Sequence, residues 1–216
     1  MCGRHAYLNL NRILACTLAE GPGKRFCLWT QGCKRRCVGC CNADMLAIEP
    51  RHLVSVDELC RQIANSKAEN DIEGVTFLGG EPMLQAPNLS SVARFAKDIG
   101  LSVMVFTGYT HAECISGSIG GARDLLAYVD ILVDGPFVRA QIDDSRNWVG
   151  SRNQKFIYLT DRYSSEIEVD SRLRRIVEVR SEDGDLFWNG DPHVVQSVLG
   201  RQCCDDSASA VCLKDR

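Results

Sequence analysis

The sequence predicts an α/β fold: an incomplete TIM-type βα barrel of parallel strands, followed by a C-terminal β-hairpin extension. Three observations carry that expectation. Short apolar runs rich in β-branched residues open at Val75, Val103 and Ile131, evenly spaced along the chain. Helical patterns fill the stretches between them, as βα units require. A chemically unusual loop follows each run, and in parallel βα architectures those loops share one face.

The elements follow in order. Arg25–Thr30 (RFCLWT) reads as a first strand. Ser55 and Glu58 have the spacing of a capping box, and Val56, Leu59, Cys60, Ile63 and Ala64 then fall on one helical face. Val75–Leu78 is the next strand. Asn88 is a candidate N-cap for a helix that buries Leu89, Val92, Phe95 and Ala96. Val103–Phe106 follows, then a shorter, glycine-broken helix near Asp124–Tyr128, then the run Ile131–Val133. Lys155–Leu159 (KFIYL) reads as a later strand. Four or five such units are too few for eight strands, hence an incomplete barrel.

Beyond residue 160 the pattern changes. RIVEVRSEDGDLFWNG alternates apolar and polar residues around Asp183-Gly184, the mark of an antiparallel hairpin. The closing RQCCDDSASAVCLKDR reads as a polar tail. The expected division is a core domain over 1–160 and an extension over 161–216.

Composition narrows the class. The chain has 216 residues, 45% hydrophobic and 25% charged, with a formal net charge of −3. No global field draws it to nucleic acid or to an anionic membrane. The N-terminal residues lack the uninterrupted apolar core of a secretion signal, and no stretch approaches a transmembrane helix. A cytoplasmic protein is expected, with neither nucleic acid nor membrane as partner.

Twelve cysteines is a high count for a reducing compartment, and it points to metal or redox work rather than to a disulfide framework. Cys16, Cys27, Cys60 and Cys114 are scattered singly and read as small buried hydrophobes. Cys33, Cys37 and Cys40 are different, because they lie close together as C-x3-C-x2-C with Cys41 adjacent. Three readings fit. Structural zinc takes four ligands, which here would need distant thiols such as Cys203 and Cys204. A catalytic cysteine needs one thiol and a base. An iron–sulfur cluster held by three thiolates keeps one iron open, whereas an electron-carrying cluster takes four. Adjacent residues rarely reach one small cluster together, which leaves Cys41 a supporting role. Cys203, Cys204 and Cys212 fit no cluster spacing and read as tail thiols.

The ordered set QGCKRRCVGCCN, LGGEPMLQ, FTGYT, DILVDGPF and GSRNQ resembles the radical S-adenosylmethionine enzymes, and among them the activating proteins of anaerobic ribonucleotide reductase. The likeness runs from about Asn11 to Leu159. It implies that Cys33, Cys37 and Cys40 hold a [4Fe–4S] cluster whose open iron binds S-adenosylmethionine. It also implies that Gly79, Gly80 and Glu81 contact the methionyl amino group, and that Gly39 and the backbone at Cys41 lie near the adenine. Position 41, often histidine in that family, is cysteine here. Thr107 either contacts the cofactor or ends its strand, and Thr110 with Glu113 also matches a capping box. Asp134 is either a cation- or substrate-facing group or a cap. Ser151, Asn153 and Gln154 match the family without a chemical duty readable from the chain.

The activity this implies is reductive cleavage of S-adenosylmethionine to a 5′-deoxyadenosyl radical, and it would make the chain an anaerobic oxidoreductase. Its target would be a glycine on a partner glycyl-radical protein, with a flavodoxin- or ferredoxin-type electron donor. Lys34, Arg35 and Arg36 are either the donor's docking patch or a solvated loop. The alternatives are a radical enzyme acting on a peptide or small molecule, and a non-catalytic iron–sulfur or zinc module.

Overall fold

In the computed structural model, residues 6–173, 176–182, 185–191 and 194 are described. The elements are β1 (Tyr7–Thr17), β2 (Arg25–Thr30), β3 (His52–Ser55), α1 (Val56–Asn70), β4 (Gly74–Gly79), α2 (Ala86–Asp98) and β5 (Ser102–Phe106). They continue with α3 (His111–Ile115), α4 (Ala122–Leu126), β6 (Ile131–Asp134), β7 (Lys155–Tyr158), β8 (Val177–Glu182) and β9 (Asp185–Gly190). Seven strands form one sheet in the order β3-β1-β2-β4-β5-β6-β7, and β8 pairs with β9 in a second.

The centre of the large sheet is parallel. β2, β4, β5 and β6 pair in that order with one direction, so their C-terminal ends share an edge. β1 and β3 run antiparallel on one side. β7 closes the other side, antiparallel to β6 with Leu132 opposite Ile157. The expected later strand over 155–159 is therefore present, but it does not continue the parallel series. The physical reason is the connection. Between β6 and β7 the chain forms only a short 3-10 turn at Arg139–Gln141, and a parallel return needs a crossover element.

Alternation along the strands divides the core. Phe26, Leu28, Val75, Phe77, Val103 and Val105 pack against Leu59, Ile63, Leu89, Val92 and Leu125 of the helices. Cys27, Trp29 and Leu78 face the other way with Leu14 and Met45, and Met104, Ile131 and Val133 do the same with Val149. Among the described residues, no α-helix packs on this second face.

Helix starts depart from expectation in two places. Ser55 Oγ accepts the Glu58 amide at 3.2 Å, but the Glu58 carboxylate turns to Gln62 and Arg61, so only half of the capping box forms. α2 begins at Ala86 with Gln85 at its N-cap, two residues before Asn88. Pro87 suits the first turn, where its missing amide costs nothing. Asn88 instead donates its side-chain amide to the Tyr7 carbonyl at 2.8 Å. The short helix before β6 spans Ala122–Leu126. Among the single cysteines, Cys27 and Cys114 are fully buried, whereas Cys16 and Cys60 are only partly so.

Arg25, at the start of β2, is fully buried. Its guanidinium donates to Thr76 Oγ1 (2.6 Å), Val75 O (2.6 Å), Pro22 O (3.0 Å) and Ser102 Oγ (3.0 Å). These partners tie the N-terminal ends of β2, β4 and β5 together, opposite the edge that carries the unusual loops.

β8 and β9 dock on β1. Arg180 donates to the Cys16 carbonyl at 2.6 Å, Asn189 to Thr17 Oγ1 at 2.9 Å and Arg12 to the Trp188 carbonyl at 3.2 Å. The Arg12 guanidinium also lies over Trp29 and Phe187. The Asp183-Gly184 turn expected between the two strands, and the polar tail with Cys203, Cys204 and Cys212, lie outside the described residues.

Candidate active site

Four loops leave the shared edge of β2, β4, β5 and β6. The first, after β2, carries the cysteines. Its two ends are stapled together: the Gly32 amide donates to Met45 O at 2.8 Å and the Cys33 amide to Leu46 O at 3.2 Å. The loop is thus a closed excursion rather than a free strand of chain. Within it Cys33 is buried, Cys37 and Cys40 are half-buried, and Cys41 is exposed. The Cys40 amide donates to Cys37 O at 3.3 Å, and Gly39 within that turn has φ +77°, a left-handed value that glycine adopts without strain.

The Arg35 amide donates to Cys33 Sγ at 3.3 Å. Burial pushes the Cys33 and Cys37 thiols up, and at Cys33 the Arg35 amide pulls the other way. The neighbouring Cys41 thiol brings the Cys40 pKa down to about 7.

The second loop, Gly80-Glu81-Pro82, is locked to the first. The Glu81 amide donates to Gly32 O at 2.9 Å and the Gly80 amide to Thr30 O at 2.8 Å, while Asn42 donates its side-chain amide to Gly79 O at 3.2 Å. The paired glycines are required by these contacts. A Cβ at Gly79 would stand 2.5 Å from the Thr30 nitrogen, and one at Gly80 would stand 2.5 Å from Gly32 O.

Glu81 joins the second loop to the third. The residue is 1% exposed. Oε1 accepts Thr107 Oγ1 at 2.7 Å and the Met83 amide at 2.9 Å, and Oε2 accepts the Gly108 amide at 2.8 Å. Burial pushes its carboxyl up, against the pull of these three donors. Thr107 in turn accepts the Tyr109 amide at 3.1 Å. Gly79, Gly80, Glu81 and Thr107 are therefore assembled in one place, beside the cysteine loop.

Arg35 closes the arrangement from above. Its guanidinium stacks over Tyr109, 4.8 Å from the ring centre, and pairs with Glu113 at 3.4 Å. Glu113 also completes a full capping box with Thr110 at the start of α3. Of the three basic residues between Cys33 and Cys37, Arg35 thus faces the protein. Asp134 accepts the His111 amide at 2.6 Å and acts as a cap for α3.

The donor set fits an iron–sulfur cluster. Cys33, Cys37 and Cys40 are free thiols on one loop, at the sheet edge where ligands bind in parallel folds. Among the described residues, no three His, Cys, Asp or Glu side chains converge on a single-ion position.

Residues 19–157 match the family described as 4Fe-4S single cluster domain, and the chain belongs to that family. Over 153 residues it is 31% identical to the anaerobic ribonucleoside-triphosphate reductase-activating protein of Vibrio cholerae, covering 68% of this chain and 96% of that protein. The protein of the same name from Enterobacteria phage T4 is 30% identical over 162 residues, covering 71% of this chain and 96% of its own length. Pyruvate formate-lyase-activating enzyme of Staphylococcus aureus is 36% identical over 123 residues, 56% of this chain and 45% of that enzyme. Within the family, the chain is a radical S-adenosylmethionine enzyme of the glycyl-radical activase type, and its cofactors are a [4Fe–4S] cluster and S-adenosylmethionine. Among the described residues, no helix is long and apolar enough to cross a membrane.

Two groups escaped the sequence reading. The Glu81–Thr107 bond joins residues from separate motifs. The partners of Ser151, Asn153 and Gln154, all on the loop after β6, were equally hidden. Their signal was the GSRNQ run itself, which named the residues but not their contacts.

Proposed function

We propose that Cys33, Cys37 and Cys40 ligate the cluster, and that the chain generates a glycyl radical on a partner protein in the cytoplasm. Three free thiols on a stapled loop, locked to the GGEP and TGYT loops at one sheet edge, support this reading most directly. The cluster, once reduced, supplies the electron that cleaves S-adenosylmethionine to methionine and a hydrogen-abstracting 5′-deoxyadenosyl radical.

The chain's own residues position that chemistry. The Arg35 amide, donating to Cys33 Sγ, favours the ionised sulfur that iron requires. Cys41, exposed and adjacent to Cys40, stays outside the ligand set. Gly79, Gly80, Glu81 and Thr107, with Gly39 and the Cys41 backbone, form the pocket for S-adenosylmethionine. Glu81 acts there mainly as a strut, because both carboxylate oxygens are engaged by protein donors. The four parallel strands with antiparallel edges support the reading of an incomplete barrel. A flavodoxin- or ferredoxin-type protein is the electron donor.

A second reading has its own observation. The family match ends at residue 157, before β8 and β9, which dock on β1 at Arg12, Cys16 and Thr17. An added wall at that position suits a smaller peptide or small-molecule substrate.

One experiment covers both. The protein is reconstituted anaerobically with iron and sulfide, reduced, and assayed for 5′-deoxyadenosine with and without a glycyl-radical protein. Cys33→Ala, Cys37→Ala and Cys40→Ala should each abolish the nucleoside, and Cys41→Ala should retain it. Full activity in any of the first three removes the ligand assignment. Nucleoside formation without a glycyl-radical EPR doublet on the partner favours the second reading.

A further inference from the structure

One residue of the cysteine loop reaches across to the loop after β5. The Arg35 amide donates to Cys33 Sγ at 3.3 Å, while its guanidinium lies over the Tyr109 ring, 4.8 Å from the centre. Between these two ends the side chain crosses Gly108 so closely that a Cβ there would stand 2.9 Å from Arg35 Cγ. The same Cβ would stand 3.4 Å from Glu81 Oε2, so Gly108 is held between the Arg35 stem and the Glu81 carboxylate.

The loop that Arg35 touches is anchored by side chains. The amides of Gly108, Tyr109, Thr110 and His111 donate in turn to Glu81 Oε2, Thr107 Oγ1, Glu113 Oε2 and Asp134 Oδ2. None of these four amides enters the sheet ladder, so the order of this segment depends on what packs against it. The packing from Arg35 matters more than its charge. Its ion pair with Glu113, 3.4 Å long and with the carboxylate side chain 42% exposed, is worth little in water. The guanidinium stacked on Tyr109 and the methylene stem pressed on Gly108 are less open to screening.

We infer that Arg35 is a positioning residue that couples loading of the cysteine loop to closure of the 107–111 segment on Glu81. The inference rests on the assignment of Cys33 and Cys37 as cluster ligands. Arg35 stands midway between them in the chain, so a cluster bound by both thiolates fixes the backbone from which its side chain projects. That side chain then holds Gly108 and Tyr109 in place before S-adenosylmethionine arrives, and a wall ordered in advance lowers the entropy lost on binding. Without the cluster, the clamp is only as rigid as the loop that carries it.

The test is amide hydrogen exchange over residues 107–111, read by mass spectrometry under anaerobic conditions without S-adenosylmethionine. Each protein is measured unloaded and after reconstitution with iron and sulfide. A merely structural role would change both forms alike, so the readout is the difference between them. In wild type, loading should slow exchange in this segment by about 5- to 150-fold, the usual size of a coupling between two sites. Arg35→Ala and Tyr109→Leu should each lose most of that slowing, and Tyr109→Phe, which keeps the ring, should retain it. Tyr109→Leu cuts the stack from the far side and leaves the cysteine loop untouched, so it decides the matter if Arg35→Ala takes up little iron. Slowing as large as in wild type in both Arg35→Ala and Tyr109→Leu overturns the inference. So does a loaded wild type whose segment exchanges as fast as the unloaded one. A wild type that takes up no [4Fe–4S] cluster would instead defeat the ligand assignment itself.

Discussion

Gly80 faces Gly32 across a gap that admits no side chain: a Cβ at Gly80 would lie 2.5 Å from the Gly32 carbonyl oxygen and 2.8 Å from that of Met45. Both obstacles are backbone atoms at the stapled ends of the cysteine loop, so neither can swing aside. Gly80→Ala should therefore push the two loops apart, at a cost of about 1–3 kcal/mol from overpacking. Denaturant melts read the stability, and iron bound after reconstitution reads the loop. Stability and iron content both equal to wild type would contradict the contact.

Glu81 holds three donors with two oxygens. Glu81→Gln keeps the shape but replaces one oxygen with an NH2 group, which must face Thr107 and Met83 or Gly108. A buried donor is then left facing a donor. The expected loss is about 1–3 kcal/mol, seen as a fall of several degrees in Tm. An unchanged Tm would mean that the carboxylate does not join the two loops.

Glu20 ties β9 to the core, accepting the Gly190 amide at 2.8 Å. Burial raises its pKa from 4.5 to about 7. The folded state thus favours the protonated carboxyl. This contribution is complete below about pH 4.5 and is lost as pH rises through about 7. Glu20→Gln cannot titrate, so its Tm should gain on wild type between pH 5 and pH 8, by the equivalent of about 1–3 kcal/mol. Thermal melts of both proteins across that range provide the check, and a constant difference would refute the shift.

Periodicity made the parallel centre of the sheet legible. The runs at Val75, Val103 and Ile131 are strands β4, β5 and β6, and the loops after them meet as the parallel register dictates. The capping box at Thr110 and Glu113 was also local enough to read. What escaped depended on partners distant in sequence. β1 carries a Leu8-Asn9-Leu10-Asn11 alternation, but register shifts interrupt its pairing with β2. The antiparallel direction of β7 followed from a connection without a helix. The paired glycines suggested close approach to a ligand, and the structure shows what the backbone approaches: the Gly32 and Met45 carbonyls and the Thr30 amide. No local pattern records that Glu81 meets Thr107, because the side chains converge only after β4 and β5 have aligned.

Arg25 has a consequence for the order in which the molecule assembles. Its guanidinium is sealed inside, and its acceptors come from β4, from β5 and from Pro22. A nascent chain that ends before Ser102 cannot complete that shell, and a bare cation in the interior is too costly to tolerate. β2 can therefore settle fully only together with the next two strands of the parallel series, β4 and β5. The cysteine loop springs from the far end of β2. It cannot reach its final form until a charge at the opposite end of the same strand has been housed.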